Sequence, residues 1–166
     1  GIGFDVAELL TNAEGHGDTI DAYRKEWGID PDYNEVRGGL AAPQMPETPR
    51  EVWLLQRKTS KVGDGLAKTT GWARRLLLQK RGVHMQGGVE YLKIDDAGLH
   101  IAVDGKARVL DVDTIVICAG QEPRRELVPG LEAAGIEYTL IGGADVAVEL
   151  DAKRAIWQAT EFAVEY

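Results

Sequence analysis

Arg57 and Lys58 close the run Glu51-Val-Trp-Leu-Leu-Gln-Arg57-Lys58, which reads as a buried strand with two adjacent cations at its carboxyl end. In dinucleotide-binding folds that position commonly holds a carboxylate, which hydrogen-bonds an adenosine ribose and repels a 2′-phosphate. Cations reverse the preference, because a guanidinium fork grips phosphate through charge-assisted bonds. The chemistry implied is recognition of the phosphorylated coenzyme, NADPH. Lys61 completes a local basic pocket with the pair.

Other residue types could also meet a nucleotide. Gly1 and Gly3 open a helical run through Leu10. They read equally as the end of a G-x-G-x-x-G pyrophosphate loop lacking its first strand and earlier glycines, or as a flexible terminus before an ordinary helix. Ala119 and Gly120 end the apolar run Thr114-Ile-Val-Ile-Cys118, which reads as a central parallel strand, and small residues there let backbone approach a ligand. Asp145 follows Gly142-Gly-Ala at an expected strand–helix junction. It could meet a cofactor's polyol or simply cap the helix. The segment from Thr59 through Thr70 fails the G-x-x-x-x-G-K-[ST] phosphate loop, since Val62 and Ala67 stand where glycines belong. ATP hydrolysis is therefore not expected. His16, His84 and His100 have no metal-ligand spacing, and Cys118 reads as a small core residue.

The elements that must position these groups follow from pattern. Residues 11–49 form an irregular excursion broken by glycines and prolines. Within it Asp18 could cap a short helix carrying Ile20, Tyr23 and Trp27, with Gly28 stopping it. A helix is expected from about Leu66 to Gln79, with Leu66, Ala73, Leu76 and Leu77 inward. Its cations, Arg74, Arg75, Lys80 and Arg81, complement the helix dipole, and Gly82 ends it. Val83 to Met85 is a short strand, and the runs 89–94, 99–103 and 107–110 form an antiparallel meander with turns at Asp95–Gly98 and Asp104-Gly105. Tyr138 to Ile141 reads as a further strand, followed by a helix from about Val146 to Phe162. The fold class expected is α/β, a Rossmann-like domain with its first strand missing and a β-meander added.

Composition bounds the rest. The 166 residues suit one ordinary domain, and 44% hydrophobic with 28% charged residues is a globular balance. A net charge of −8 argues against nucleic acid or an anionic membrane as the main partner. The single cysteine excludes an internal disulfide or a CxxC pair and points to a reducing, cytoplasmic setting. No apolar run reaches the roughly 18 residues of a membrane helix, and no signal peptide is expected.

Taken in order, Gly1-Ile-Gly-Phe-Asp5, Leu55-Gln-Arg-Lys58, Lys68-Thr-Thr-Gly-Trp72, Val116-Ile-Cys-Ala-Gly-Gln-Glu-Pro123, Ile141-Gly-Gly-Ala-Asp145 and Glu149-Leu-Asp-Ala-Lys-Arg-Ala155 resemble the C-terminal part of the bacterial NADPH-dependent 2,4-dienoyl-CoA reductases. The resemblance runs along the whole chain. It implies an NADP(H)-binding domain over residues 1–121, and a connection with the last segment of an FAD-binding domain over 122–166. By the same resemblance, Arg57 and Lys58 hold the 2′-phosphate, Gly1 and Gly3 end the pyrophosphate loop, Ala119 and Gly120 lie beside the nicotinamide, and Asp145 touches the FAD ribityl chain. FMN and a 4Fe–4S cluster belong to a barrel part absent from this chain, so the barrel and the rest of the FAD domain are the expected partners. The relay implied is hydride from NADPH to FAD, then electrons through the cluster to FMN. Departures from the family pattern are the missing barrel and cluster cysteines, the missing first glycines, and Ala67 where a glycine is expected.

Two other readings remain at this stage. One is a related flavin oxidoreductase of the same architecture with another substrate. The other is a non-catalytic nucleotide-binding module, since no general acid or base stands out. An open place in the sheet would also leave backbone groups unpaired, so an isolated preparation should be marginal or prone to associate.

Overall fold

The computed structural model describes residues 1–12, 19–34, 38–148 and 150–165. The expectations for His16 and for Asp18 as a cap lie outside the described residues. The chain divides into two compact units, residues 1–116 and 117–166.

The first unit is mixed α/β. Its elements are α1 (Ile2–Leu10), α2 (Ile20–Trp27), β1 (Trp53–Leu55), α3 (Gly71–Lys80), β2 (His84–Gln86), β3 (Val89–Asp95), β4 (Gly98–Val103) and β5 (Lys106–Leu110). β1 and β2 pair in parallel, Trp53 opposite His84 and Leu55 opposite Gln86, with α3 as the crossover. β3, β4 and β5 form the antiparallel meander in sequence order.

β1 is only three residues long, and its alternation builds two cores. Val52 and Leu54, with Met85, pack against Phe4, Ala7, Val62, Leu78 and Val83 on the helix side. Trp53 and Leu55 point the other way, onto Val89, Leu99, Ile101 and Leu110 of the meander. This is the period of two in an extended chain, used on both faces. The strand is half-buried rather than fully buried, and Arg57 and Lys58 lie in the bend beyond its end. In the meander, Asp104 and Gly105 both take positive φ, 51° and 73°, which is the geometry of a two-residue hairpin turn and the reason an Asp-Gly pair suits it.

α3 begins at Gly71 rather than near Leu66, because residues 62–70 are spent in turns. Leu77 and Leu78 are its buried apolar residues, Leu78 at 1% exposure. Its cations serve tertiary contacts more than the helix dipole. Arg74 pairs with Asp5 and Glu8 of α1, and Arg75 donates to the Val62 carbonyl. Arg81 donates to Glu26 Oε1 through Nε at 3.0 Å and Nη2 at 2.7 Å. Both side chains of that pair are buried, 5% and 8% exposed. α2 therefore turns Glu26 inward, while Ile20 and Tyr23 face solvent. Its cap is Thr19, whose hydroxyl oxygen accepts from Ala22 N at 3.2 Å, and Gly28 stops the helix at φ 68°.

Two expected strands are absent. Residues 114–120 are exposed and form no strand with any of the described residues, so the apolar run is not a central strand. A strand exists only where it hydrogen-bonds a neighbour, and among the described residues the parallel sheet is β1 and β2, with no third strand from this run. Cys118 is accordingly an exposed thiol and not a core residue. Tyr138 to Ile141 likewise forms no strand.

The second unit contains α4 (Val128–Ala133), a 3-10 turn (Gly142–Ala144) and α5 (Ala152–Glu165). α5 starts six residues later than the pattern suggested, since Asp151 Oδ1 accepts from Arg154 N at 2.7 Å and caps it there. Among the described residues no helix is long and apolar enough to cross a membrane.

Two outcomes follow from this packing. Arg81→Met leaves the Glu26 carboxylate buried without its donors and should cost about 3–5 kcal/mol in urea unfolding, whereas Glu26→Leu with Arg81→Met should recover most of it. A single-variant cost below about 1 kcal/mol would contradict a buried pair. On the meander, Asp95 accepts from Lys93, His100 and the Ala97 N–H, and these hold its carboxyl well below the ordinary range, Lys93 first. A depressed carboxyl stabilises the fold fully above its unfolded value of about 3.9, and that contribution is lost as pH falls through the lower folded value. An NMR titration should give Asp95 a midpoint below that of an ordinary aspartate, and Lys93→Ala should raise it more than His100→Ala. An ordinary midpoint in the unaltered chain would refute the assignment.

Candidate functional site

The carboxyl end of β1 continues into a loop tied from inside. Gln56 N donates to Gln86 O at 3.0 Å, extending the parallel ladder, and Gln56 O accepts from Val89 N at 3.0 Å. Beyond it the Lys58 carbonyl accepts from Gly88 N at 2.9 Å and from Gln56 Nε2 at 3.0 Å. The same Nε2 donates to Ser60 O at 2.7 Å, and the Val62 carbonyl takes the Arg75 guanidinium. The Gln56 amide is engaged through its nitrogen, by the Lys58 and Ser60 carbonyls and, at 3.5 Å, by Ser60 Oγ, which fixes its orientation. The side chains of Arg57, Lys58 and Lys61 remain exposed on the outside of the loop. Among the described residues none accepts from the backbone N–H groups of Thr59, Ser60 or Lys61.

The loop sits against β3. Burial pushes the Tyr91 hydroxyl above the ordinary phenol value, and the positive charge of Arg57 pulls it partly back. In the same unit Gly1 precedes α1 and Gly3 lies in its first turn. Phe4, beside them, packs on Val62, and a Cβ at Gly63 would collide with its ring. The start of α1 and the end of the cationic loop thus share one apolar cluster. Gly1 O accepts from Phe4 N at 2.9 Å, the bond of an ordinary helix start.

The remaining expected site residues lie in the second unit. Ala119 and Gly120 are exposed and end no strand. Gly120 takes φ 125°, a conformation that glycine alone adopts easily. Asp145 caps no long helix. It ends the 3-10 turn, and its Oδ2 accepts from Gln158 Nε2 of α5 at 2.9 Å while its carbonyl takes Arg125. Gln158 Oε1 also accepts from Gly142 N at 2.8 Å, so one amide fastens both ends of the turn. Both described histidines have structural partners. His84 stacks on Trp53 at 4.3 Å and faces Glu51, and His100 bonds Asp95 at 2.7 Å.

These residues fit the groups implied by the sequence unequally. A phosphorylated coenzyme is compatible with these residues: exposed cations stand on a hydrogen-bonded loop at a strand's carboxyl end, and Val62 after the loop packs on Phe4 of α1. For FAD there is one polar point of contact, Asp145, already engaged by Gln158. A 4Fe–4S cluster needs four thiolates, and the chain has one cysteine.

Gln56 is the residue that sequence reasoning passes over. A glutamine at a strand end carries no motif spacing, and only the curl of the loop brings two carbonyls to its amide.

No protein-family model matches this chain. A structure of 2-naphthoyl-CoA reductase in complex with 2-naphthoyl-CoA is similar in fold, with a TM-score of 0.54 and 21% sequence identity. The match covers 64% of this chain and 16% of that one, so this chain corresponds to a small part of the reductase. At this identity the likeness speaks for the fold.

Proposed function

We propose that this chain is the NADPH-binding portion of a flavin-dependent oxidoreductase acting on conjugated acyl-CoA thioesters. The observation that carries the coenzyme reading is the anchored loop that displays Arg57, Lys58 and Lys61 at the carboxyl end of β1. In a chain of net charge −8, such a concentration of cations is a local choice and not a consequence of composition. The substrate class rests on two likenesses. The sequence resembles 2,4-dienoyl-CoA reductases, and the similar fold belongs to a reductase bound to 2-naphthoyl-CoA. Both names describe CoA thioesters whose acyl group is unsaturated and conjugated.

In this reading, residues 1–121 form a Rossmann-like NADP(H) domain and 122–166 a connection and closing segment of an FAD domain, in a cytoplasmic enzyme. Arg57 and Lys58 clamp the 2′-phosphate, and the N–H groups of Thr59, Ser60 and Lys61 can add hydrogen bonds to phosphate oxygens. Gly1 and Gly3 place the N-terminus of α1 toward the pyrophosphate. The sequence resemblance assigns Ala119 and Gly120 to the nicotinamide and Asp145 to the flavin's polyol. NADPH supplies the hydride when bound. The chain's own share is binding and orientation, and no side chain needs to transfer a proton. Substrate and the further cofactors, FMN and a 4Fe–4S cluster, belong to the barrel outside these residues.

Replacing Arg57 and Lys58 together with alanine should weaken NADPH by about 2 kcal/mol, roughly thirtyfold in Kd, while NADH changes little. Fluorescence titration of both coenzymes checks it, and equal losses for the two would reject the phosphate role.

A further inference from the structure

We infer that Gln56 is a positioning residue for coenzyme selectivity: its side-chain amide, opposed by Gly87, holds the loop of residues 57–60 in the shape that presents the cations. The inference rests on the NADPH reading above and adds a specificity determinant that touches no ligand.

The geometry is a clamp from two sides. From within the loop, Gln56 Nε2 gives one N–H to Lys58 O at 3.0 Å and the other to Ser60 O at 2.7 Å. Two donors on one planar group span carbonyls at i+2 and i+4, and an aliphatic or carboxylate side chain at this place could satisfy neither. From the β2 side, Gly88 N reaches the Lys58 carbonyl as well, at 2.9 Å. Gly87 lies so close that a Cβ there would stand 3.0 Å from both Lys58 O and Ser60 O, the two oxygens the amide holds. Gly87 has ordinary φ, so alanine fits its backbone, and the substitution acts only by pushing on those carbonyls. Gln56 itself lies near the surface, with its loop bonds solvent-exposed, and the two apolar clusters do not include it. Its side chain thus serves the loop and not the core.

An arginine or lysine on a floating loop must order itself when the phosphate arrives, and that entropy subtracts from the charge-assisted bonds. A loop fixed beforehand avoids the loss for phosphate, whereas a coenzyme lacking the 2′-phosphate gains nothing from it. Selectivity, and not general affinity, is therefore the quantity that should respond.

The test measures Kd for NADPH and for NADH in the full chain and three variants, with melting curves alongside. Gln56→Leu should weaken NADPH about tenfold and NADH less than about twofold, with the melting transition preserved. Gly87→Ala should shift the same ratio in the same direction by a smaller factor, since the carbonyls need move only a few tenths of an ångström. Arg57→Ala with Lys58→Ala sets the scale. If that double variant lowers the NADPH-to-NADH preference while Gln56→Leu and Gly87→Ala leave it unchanged, the positioning role is overturned and the phosphate site stands. If Gln56→Leu weakens both coenzymes equally or lowers the melting temperature in step, the residue is merely structural and the inference is again overturned. If the double variant itself leaves the preference unchanged, the NADPH reading fails and this inference fails with it.

Discussion

The first unit depends on one short, half-buried strand that packs on both faces. β1 has three residues, yet Leu54 and Val52 belong to the helix-side cluster and Trp53 and Leu55 to the meander-side cluster. Each cluster alone is small, and β1 is the element they share. Because successive side chains leave a strand on opposite faces, register at β1 determines which residues meet α1 and α3 and which meet β4. It also fixes where the strand runs out, and so where Gln56, Arg57 and Lys58 emerge. Trp53 adds a second constraint: its ring lies against His84 on β2, and the Arg108 guanidinium of β5 sits 5.0 Å from its centroid.

Charged side chains supply the cross-links around this strand. Arg74 joins α3 to α1, and Arg81 joins the end of α3 to α2 through a buried carboxylate. Arg75 ties α3 to the turn after the cationic loop. These arginines differ from Arg57 in one respect that matters for function. Each reaches a protein acceptor, whereas Arg57 is exposed on a loop whose Lys58 and Ser60 carbonyls take the Gln56 amide. A positive group on a loop whose backbone is bonded by other atoms suits recognition of an anion.

The second unit is built on a different principle. Arg125, Gln158 and Arg154 bond the carbonyls and carboxylate of residues 142–148, while Val148, Ile156, Trp157 and Val164 stay exposed. Polar bonds set the local path of the chain, but exposed apolar residues of this size gain nothing from water.

The sequence determined what is local. Alternation and turn chemistry were enough for β1, β2 and the whole meander, and Gly28 and Gly82 mark helix ends that need no distant partner. The cation pair at the end of β1 was also legible, because a strand's end is a local event. Tertiary structure decided everything that needs a neighbour. The apolar run 114–120 has strand composition but pairs with no described strand, α3 lost its first turn to residues that pack on Phe4, and the helix cations went to carboxylates far away in sequence. Asp145 and Asp151 are alike in composition, and only the actual start of α5 chose between them. The loop clamp of Gln56 belongs to the same class: an amide's two N–H groups have no preferred partners until folding brings carbonyls to them.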